Sequence, residues 1–158
     1  MSERGIFDLR CPIDLFRKLQ EDLRRVKSQP ANSWEAFDFF ITAYHIWDWK
    51  GWDKKAKSLR ERLPQPDKTL IEVCRQLCDG SKHFEVTNPE HTSVKHTKLK
   101  GSLDPTAFDS GTSDAAYLSI RLEGEPAKHL GVSSSIRADD LAERMVKFWE
   151  KWLDKEKP

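Results

Sequence analysis

The stretch from Leu70 to Phe84, LIEVCRQLCDGSKHF, places apolar side chains at Leu70, Val73, Cys74, Leu77 and Cys78. That spacing fits a helix with one buried face. Arg75, Asp79 and His83 stand four residues apart, with Lys82 alongside, so they share a different face of the same helix. The rest of the chain must supply partners for the buried stripe.

Three further stretches carry helical spacing. After Pro12, which suits the first turn of a helix, Phe16, Leu19, Leu23 and Val26 form a stripe. Arg17, Lys18, Glu21, Asp22, Arg24 and Arg25 read as its wet face, and the helix should stop before Gln29-Pro30. Asn32 with Glu35 reads as a capping box for a second helix. Trp34, Phe37, Phe40, Ile41 and Tyr44 are its expected stripe, widened by Phe39 and Trp47, which makes it the central helix. Gly51 should bend or interrupt it, and Leu63-Pro64-Gln65-Pro66 is a stop. A last helix over 135–155, capped by Ser134 or Ser135, has Leu141, Met145, Phe148, Trp149 and Trp152 inward and Asp139 and Asp140 in its first turns.

Between Asn88-Pro89 and the last helix the period changes to two. Residues 93–99 read as a strand, and 101–114 as a loop rich in Gly, Ser, Asp and Thr. In 117–122, Leu118, Ile120 and Leu122 take one side, and 127–132 is expected to return as a partner strand. Two strands alone are marginal, so the hairpin must pack on helices or pair with 93–99. The expected fold is therefore α+β: a bundle of about four helices with a small antiparallel sheet before the C-terminal helix. One domain over 1–158 accommodates it, with a helical part at 12–84, a β-containing part at 92–133 and a closing helix at 135–155.

Charge and composition narrow the functional classes. Formal net charge is +1, so attraction to RNA or an acidic membrane would need a local patch. No apolar run approaches membrane-spanning length, and the N-terminus lacks a signal-peptide core, so a cytoplasmic protein with no membrane contact is expected. Cys11, Cys74 and Cys78 make an odd count; the last two read as buried free thiols. His45 and Asp48 are helix neighbours, read as a core histidine and its hydrogen-bond partner. His83, His91 and His96 lack the dense spacings of metal sites, so no metal and no cofactor are expected. The glycines are isolated, leaving no phosphate-cradling loop, and no Gly-x-Ser-x-Gly elbow occurs. Trp47, Trp49 and Trp52, interleaved with Lys50, Lys54, Lys55 and Lys57, could offer stacking planes beside phosphate-binding charges, or form a solvated helix face whose Trp residues turn inward.

Cys78-Asp79-Gly80-Ser81-Lys82-His83 resembles the signature of the HEPN superfamily, small helical bundles that often act as metal-independent ribonucleases in toxins and anti-phage systems. That signature is an Arg, a polar residue, three variable residues and a His. Asp79 and His83 occupy the polar and His positions, while Cys78 stands where the family has Arg and Arg75 lies one turn upstream. The resemblance covers the helical part, roughly 12–84 and the last helix. It implies a homodimer with RNA as substrate, His83 as base, Lys82 and Arg75 as phosphate-facing cations, and Asp79 as the orienting group. The residues leave a second class open: a non-enzymatic interaction module or oligomeric scaffold that uses its surplus Trp at an interface with a protein partner. In a further reading, Gly80 ends the helix in a left-handed cap and leaves Lys82 and His83 on the surface.

Overall fold

The computed structural model describes residues 7–51, 56–82, 93–101 and 115–155. Among these, the elements in chain order are α1 (Pro12–Ser28), α2 (Ser33–Trp49), α3 (Ala56–Arg62), α4 (Asp67–Lys82), β1 (Val94–Lys100), β2 (Tyr117–Leu122), α5 (Glu125–His129), β3 (Ser135–Arg137) and α6 (Ala138–Trp152). The fold is α+β and mainly helical. Two short helices, α3 and α5, join the four expected long ones.

Local chemistry starts and stops the helices. Pro12 opens α1, and the Asp14 carboxylate accepts from the Arg10 and Cys11 amides and from the Cys11 thiol. The Asn32 side chain accepts from the Trp34 and Glu35 amides and caps α2. Beyond Trp49, Gly51 takes φ +68°, a conformation that favours glycine, and the helix ends there.

α2 is packed by α1, α4 and α6, so it is enclosed on several sides. Phe39, Ala43, Ile46 and Trp47 are fully buried, with Phe40 and Tyr44 nearly so. Trp34 and Phe37, expected in the stripe, are 82% and 42% exposed. They occupy the first turns of α2, and the enclosed positions lie further along. Asp22 corrects the reading of the α1 wet face, for it is buried. Its carboxylate takes the Lys18 ammonium and faces Arg25 at 3.6 Å, while Lys18 also donates to Thr42 Oγ1 of α2. A buried charge persists when it is paired in this way.

β1, β2 and β3 form one antiparallel sheet with β2 central. Leu118, Ile120 and Leu122 turn toward the helices, as their alternation predicts. The return strand expected over 127–132 is not there. Gly124, at φ +64°, turns the chain, Pro126 opens α5, and Ala127 and Leu130 tuck into the core. The third strand is instead Ser135–Arg137, immediately before α6. Ser134 and Ser135 therefore do not cap the last helix; Arg137 is its N-cap, with no side-chain cap bond. Gln76 of α4 anchors the other edge, its buried side-chain carbonyl accepting from the Ser93 and Val94 amides at 3.0 and 2.9 Å.

Candidate functional site

α4 runs on through Gly80 to Lys82, so Gly80 does not end it in a left-handed cap. The helix brings Arg75 and Asp79 together, with guanidinium Nη1 3.3 Å from Asp79 Oδ2. Arg75 is buried, and its main partner is Glu72, which accepts from both Nε and Nη2. Glu72 also accepts from Gln76 and lies 3.6 Å from Arg60, whose Nη1 donates to the Tyr44 hydroxyl. The guanidinium thus joins a hydrogen-bonded network across α2, α3 and α4. Glu72 was not among the expected site residues, although its place one turn before Arg75 is the sequence signal for a pair; Arg60 and Tyr44 arrive only through tertiary packing. Lys82 is described only by its place in α4, and His83 lies outside the described residues.

Burial pushes the Glu72 carboxyl up, but the Arg75 hydrogen bonds and charge, with Gln76 and Arg60, outweigh burial and hold it below its ordinary value of 4.5. A carboxyl lowered by folding contributes stability that is complete above its unfolded value and is lost as pH falls through the folded one. Below pH 4.5 the wild type is therefore expected to lose stability more steeply than Glu72→Gln. Urea unfolding across the acid range checks this, and parallel curves would contradict the role of the ion pair.

The start of α2 lies beside the end of α4, since Ser33 and Phe37 line one cleft with Leu77 and Ser81. Further along, the Cys74 thiol approaches the Phe40 carbonyl at 3.8 Å. The helices are antiparallel, and His45 and Asp48, both half-buried, sit toward the end of α2 away from Lys82. Cys74 and Cys78 are fully buried thiols in no disulfide; burial first, then the neighbouring Cys78, pushes the Cys74 thiol well up, away from reactive thiolate. Among the described residues no group of His, Cys, Asp and Glu is arranged to hold a metal ion, and no helix is long and apolar enough to cross a membrane.

Of the proposed nucleic-acid-binding row, Lys50 donates its ammonium to the Leu153 carbonyl at 2.7 Å, tying the end of α2 to that of α6. Trp52, Lys54 and Lys55 lie outside the described residues, and Lys57 is described only by its place in α3.

The sheet carries a second cluster. A bulge between Val94 and His96 resets the alternation, so that His96 pairs with Arg121, Lys98 with Ser119 and Lys100 with Tyr117. On the other side Ser119 pairs with Arg137 and Arg121 with Ser135. Side chains opposite one another share a face. The face turned away from the helices therefore carries His96, Lys98, Lys100, Tyr117, Arg121 and Arg137 above small serines. A groove of about 270 Å³ runs across it, lined by His96, Lys98, Lys100, Ser119, Arg121, Ser134 and Ser135. Glu123 meets Arg121 at 3.2 Å on the exposed rim, and Asp139 holds Arg137. Lys98 and Lys100 make no ion pair among the described residues. Lysines on an edge strand discourage edge-to-edge pairing, but that does not account for Arg121 on the central strand or the serine-lined groove.

Comparison with protein-family models, curated proteins and solved structures finds no match for this chain.

Proposed function

We propose that this chain is an RNA-associated factor that holds the phosphate backbone on the outer face of its sheet. The observation that carries this reading is the convergence of Lys98, Lys100 and Arg121, from adjacent strands, on one polar groove. With a net charge of only +1, the molecule has no strong overall field to draw in a polyanion, and a local basic face is the electrostatic means open to it. Arg75 supports a binding reading over a catalytic one, because its guanidinium is engaged with Glu72 and Asp79 rather than presented to a phosphate. The resemblance at Asp79 and His83 supports a HEPN-like factor of a defence or toxin type.

The test is binding of an unstructured RNA oligonucleotide to the whole chain, wild type against the triple variant Lys98→Ala, Lys100→Ala, Arg121→Ala. Run in EDTA with the RNA examined for cleavage, beside His83→Ala, the same experiment tests metal-independent ribonuclease activity. Cleavage lost only in His83→Ala would add catalysis to the function, and cleavage equal in both would remove His83 from it.

The same proposal includes a homodimer, supported by Trp34 at 82% exposure and Phe37 at 42% beside a half-open apolar cleft of about 160 Å³. Light scattering is expected to show a dimer that Trp34→Ala weakens by roughly tenfold. A monomeric wild type would contradict it.

A further inference from the structure

Tyr117 lies at one end of the basic sheet face, half-buried, opposite Lys100. The Arg137 guanidinium covers its ring, 4.4 Å from the centroid. Arg137 is itself held by two parallel hydrogen bonds to Asp139, Nε to Oδ1 and Nη2 to Oδ2, both 2.9 Å. Asp139 belongs to the first turn of α6, so the ring and its cation rest on a fixed element. A preorganised ring and guanidinium at the end of a cationic groove have a specific chemical use: the stacked pair offers a flat surface to an unpaired base while the neighbouring cations follow the phosphates. His96, Lys98 and Lys100 alternate along one strand, which spaces them about 7 Å apart and lets them follow an extended backbone. Ser119, Ser134 and Ser135 bring hydroxyls to the groove, short groups able to meet a ribose 2′-hydroxyl.

We propose that the outer face of the sheet binds single-stranded RNA, with one base stacked on the Tyr117–Arg137 pair and the following phosphates on Lys100, Lys98 and Arg121. This rests on the RNA-binding reading above and narrows it to the single strand. Bases inside a duplex are already stacked on one another and do not reach the ring, so a duplex would engage only the cations.

The experiment is fluorescence anisotropy with one labelled sequence as single-stranded RNA, as RNA duplex and as single-stranded DNA. The proteins are the wild type, Tyr117→Ala and Tyr117→Phe. The wild type is expected to bind the single-stranded RNA about tenfold more tightly than the duplex, and more tightly than the DNA. Tyr117→Ala should lose that preference while keeping duplex affinity, which also shows that it is folded; Tyr117→Phe, with the ring intact, should retain it. Equal wild-type affinity for single strand and duplex would overturn the stacking site and leave the phosphate-binding face standing. Equal affinity for DNA would overturn the RNA assignment. Binding of polyglutamate as tight as that of RNA would move the face to an acidic protein partner. Failure of both RNA forms to bind would overturn this inference and the reading beneath it.

Discussion

Trp149→Ala is expected to destabilise the fold by about 4 kcal/mol. Trp149 is fully buried in the last turn of α6, where its ring meets Phe148 edge-on at 5.0 Å and Trp47 of α2 at 6.4 Å. Its indole Nε1 donates to the Ala43 carbonyl of α2 at 2.9 Å. Alanine would remove the ring contact with Trp47 of α2, leave a cavity that two rigid helices close poorly, and delete a buried hydrogen bond. Ala43 lies within α2, so its carbonyl keeps a helical partner and the polar loss is the smaller part. For a chain of this size the loss corresponds to a fall in Tm of roughly 8–16 °C. Trp149→Phe keeps much of the ring volume and should cost about 1–2 kcal/mol, mostly for the missing donor. Urea unfolding followed by circular dichroism checks both. A loss from Trp149→Ala no larger than that from Trp149→Phe would contradict α6 as the closing element of the core.

The helical part was legible because its signals are local. The stripe Leu141, Met145, Phe148, Trp149 and Trp152 is buried throughout, and Pro12 and Asn32 mark helix starts as their chemistry demands. The failures have separate causes. Asp22 looks like surface on α1; the Lys18 ammonium, which also donates to Thr42, and the nearby Arg25 make its burial tolerable. Residues 127–132 permit a strand by composition, yet Gly124 and Pro126 start a helix there and β3 forms further on from three residues. Periodicity is weak evidence over so short a strand.

The candidate site divides in the same way. Arg75 and Asp79 do meet, as residues four apart on one helix should, but the dominance of Glu72 in pairing Arg75 follows from its position one turn back. The basic face of the sheet was half-written in the sequence: placing Leu118, Ile120 and Leu122 inward puts Tyr117, Ser119 and Arg121 outward. What could not be read was the register. The bulge at Lys95 sets His96, Lys98 and Lys100 opposite Arg121, Ser119 and Tyr117, and a slip of one residue would have turned those cations inward.

The largest functional effect is expected from removing those cations. Each phosphate neutralised on a single strand contributes about 0.7 to the slope of log affinity against log salt. Without Lys98, Lys100 and Arg121, that slope should fall by about 2, and affinity near 0.1 M salt should fall about a hundredfold. Arg121 already faces Glu123, but that pair is half-exposed on both sides and gives way at little cost. None of the three is buried, so the triple variant should fold as the wild type does. The control removes equal charge elsewhere, from Arg17, Arg24 and Lys147, whose side chains are all more than two-thirds exposed on α1 and α6.

The decisive measurement is therefore the salt dependence of RNA affinity for wild type, the sheet triple variant and the control triple variant. The sheet variant should lose about a hundredfold in affinity and much of the salt slope, while the control stays near the wild type. Equal losses in both variants would show that RNA responds to net charge alone and would contradict a binding site on the sheet.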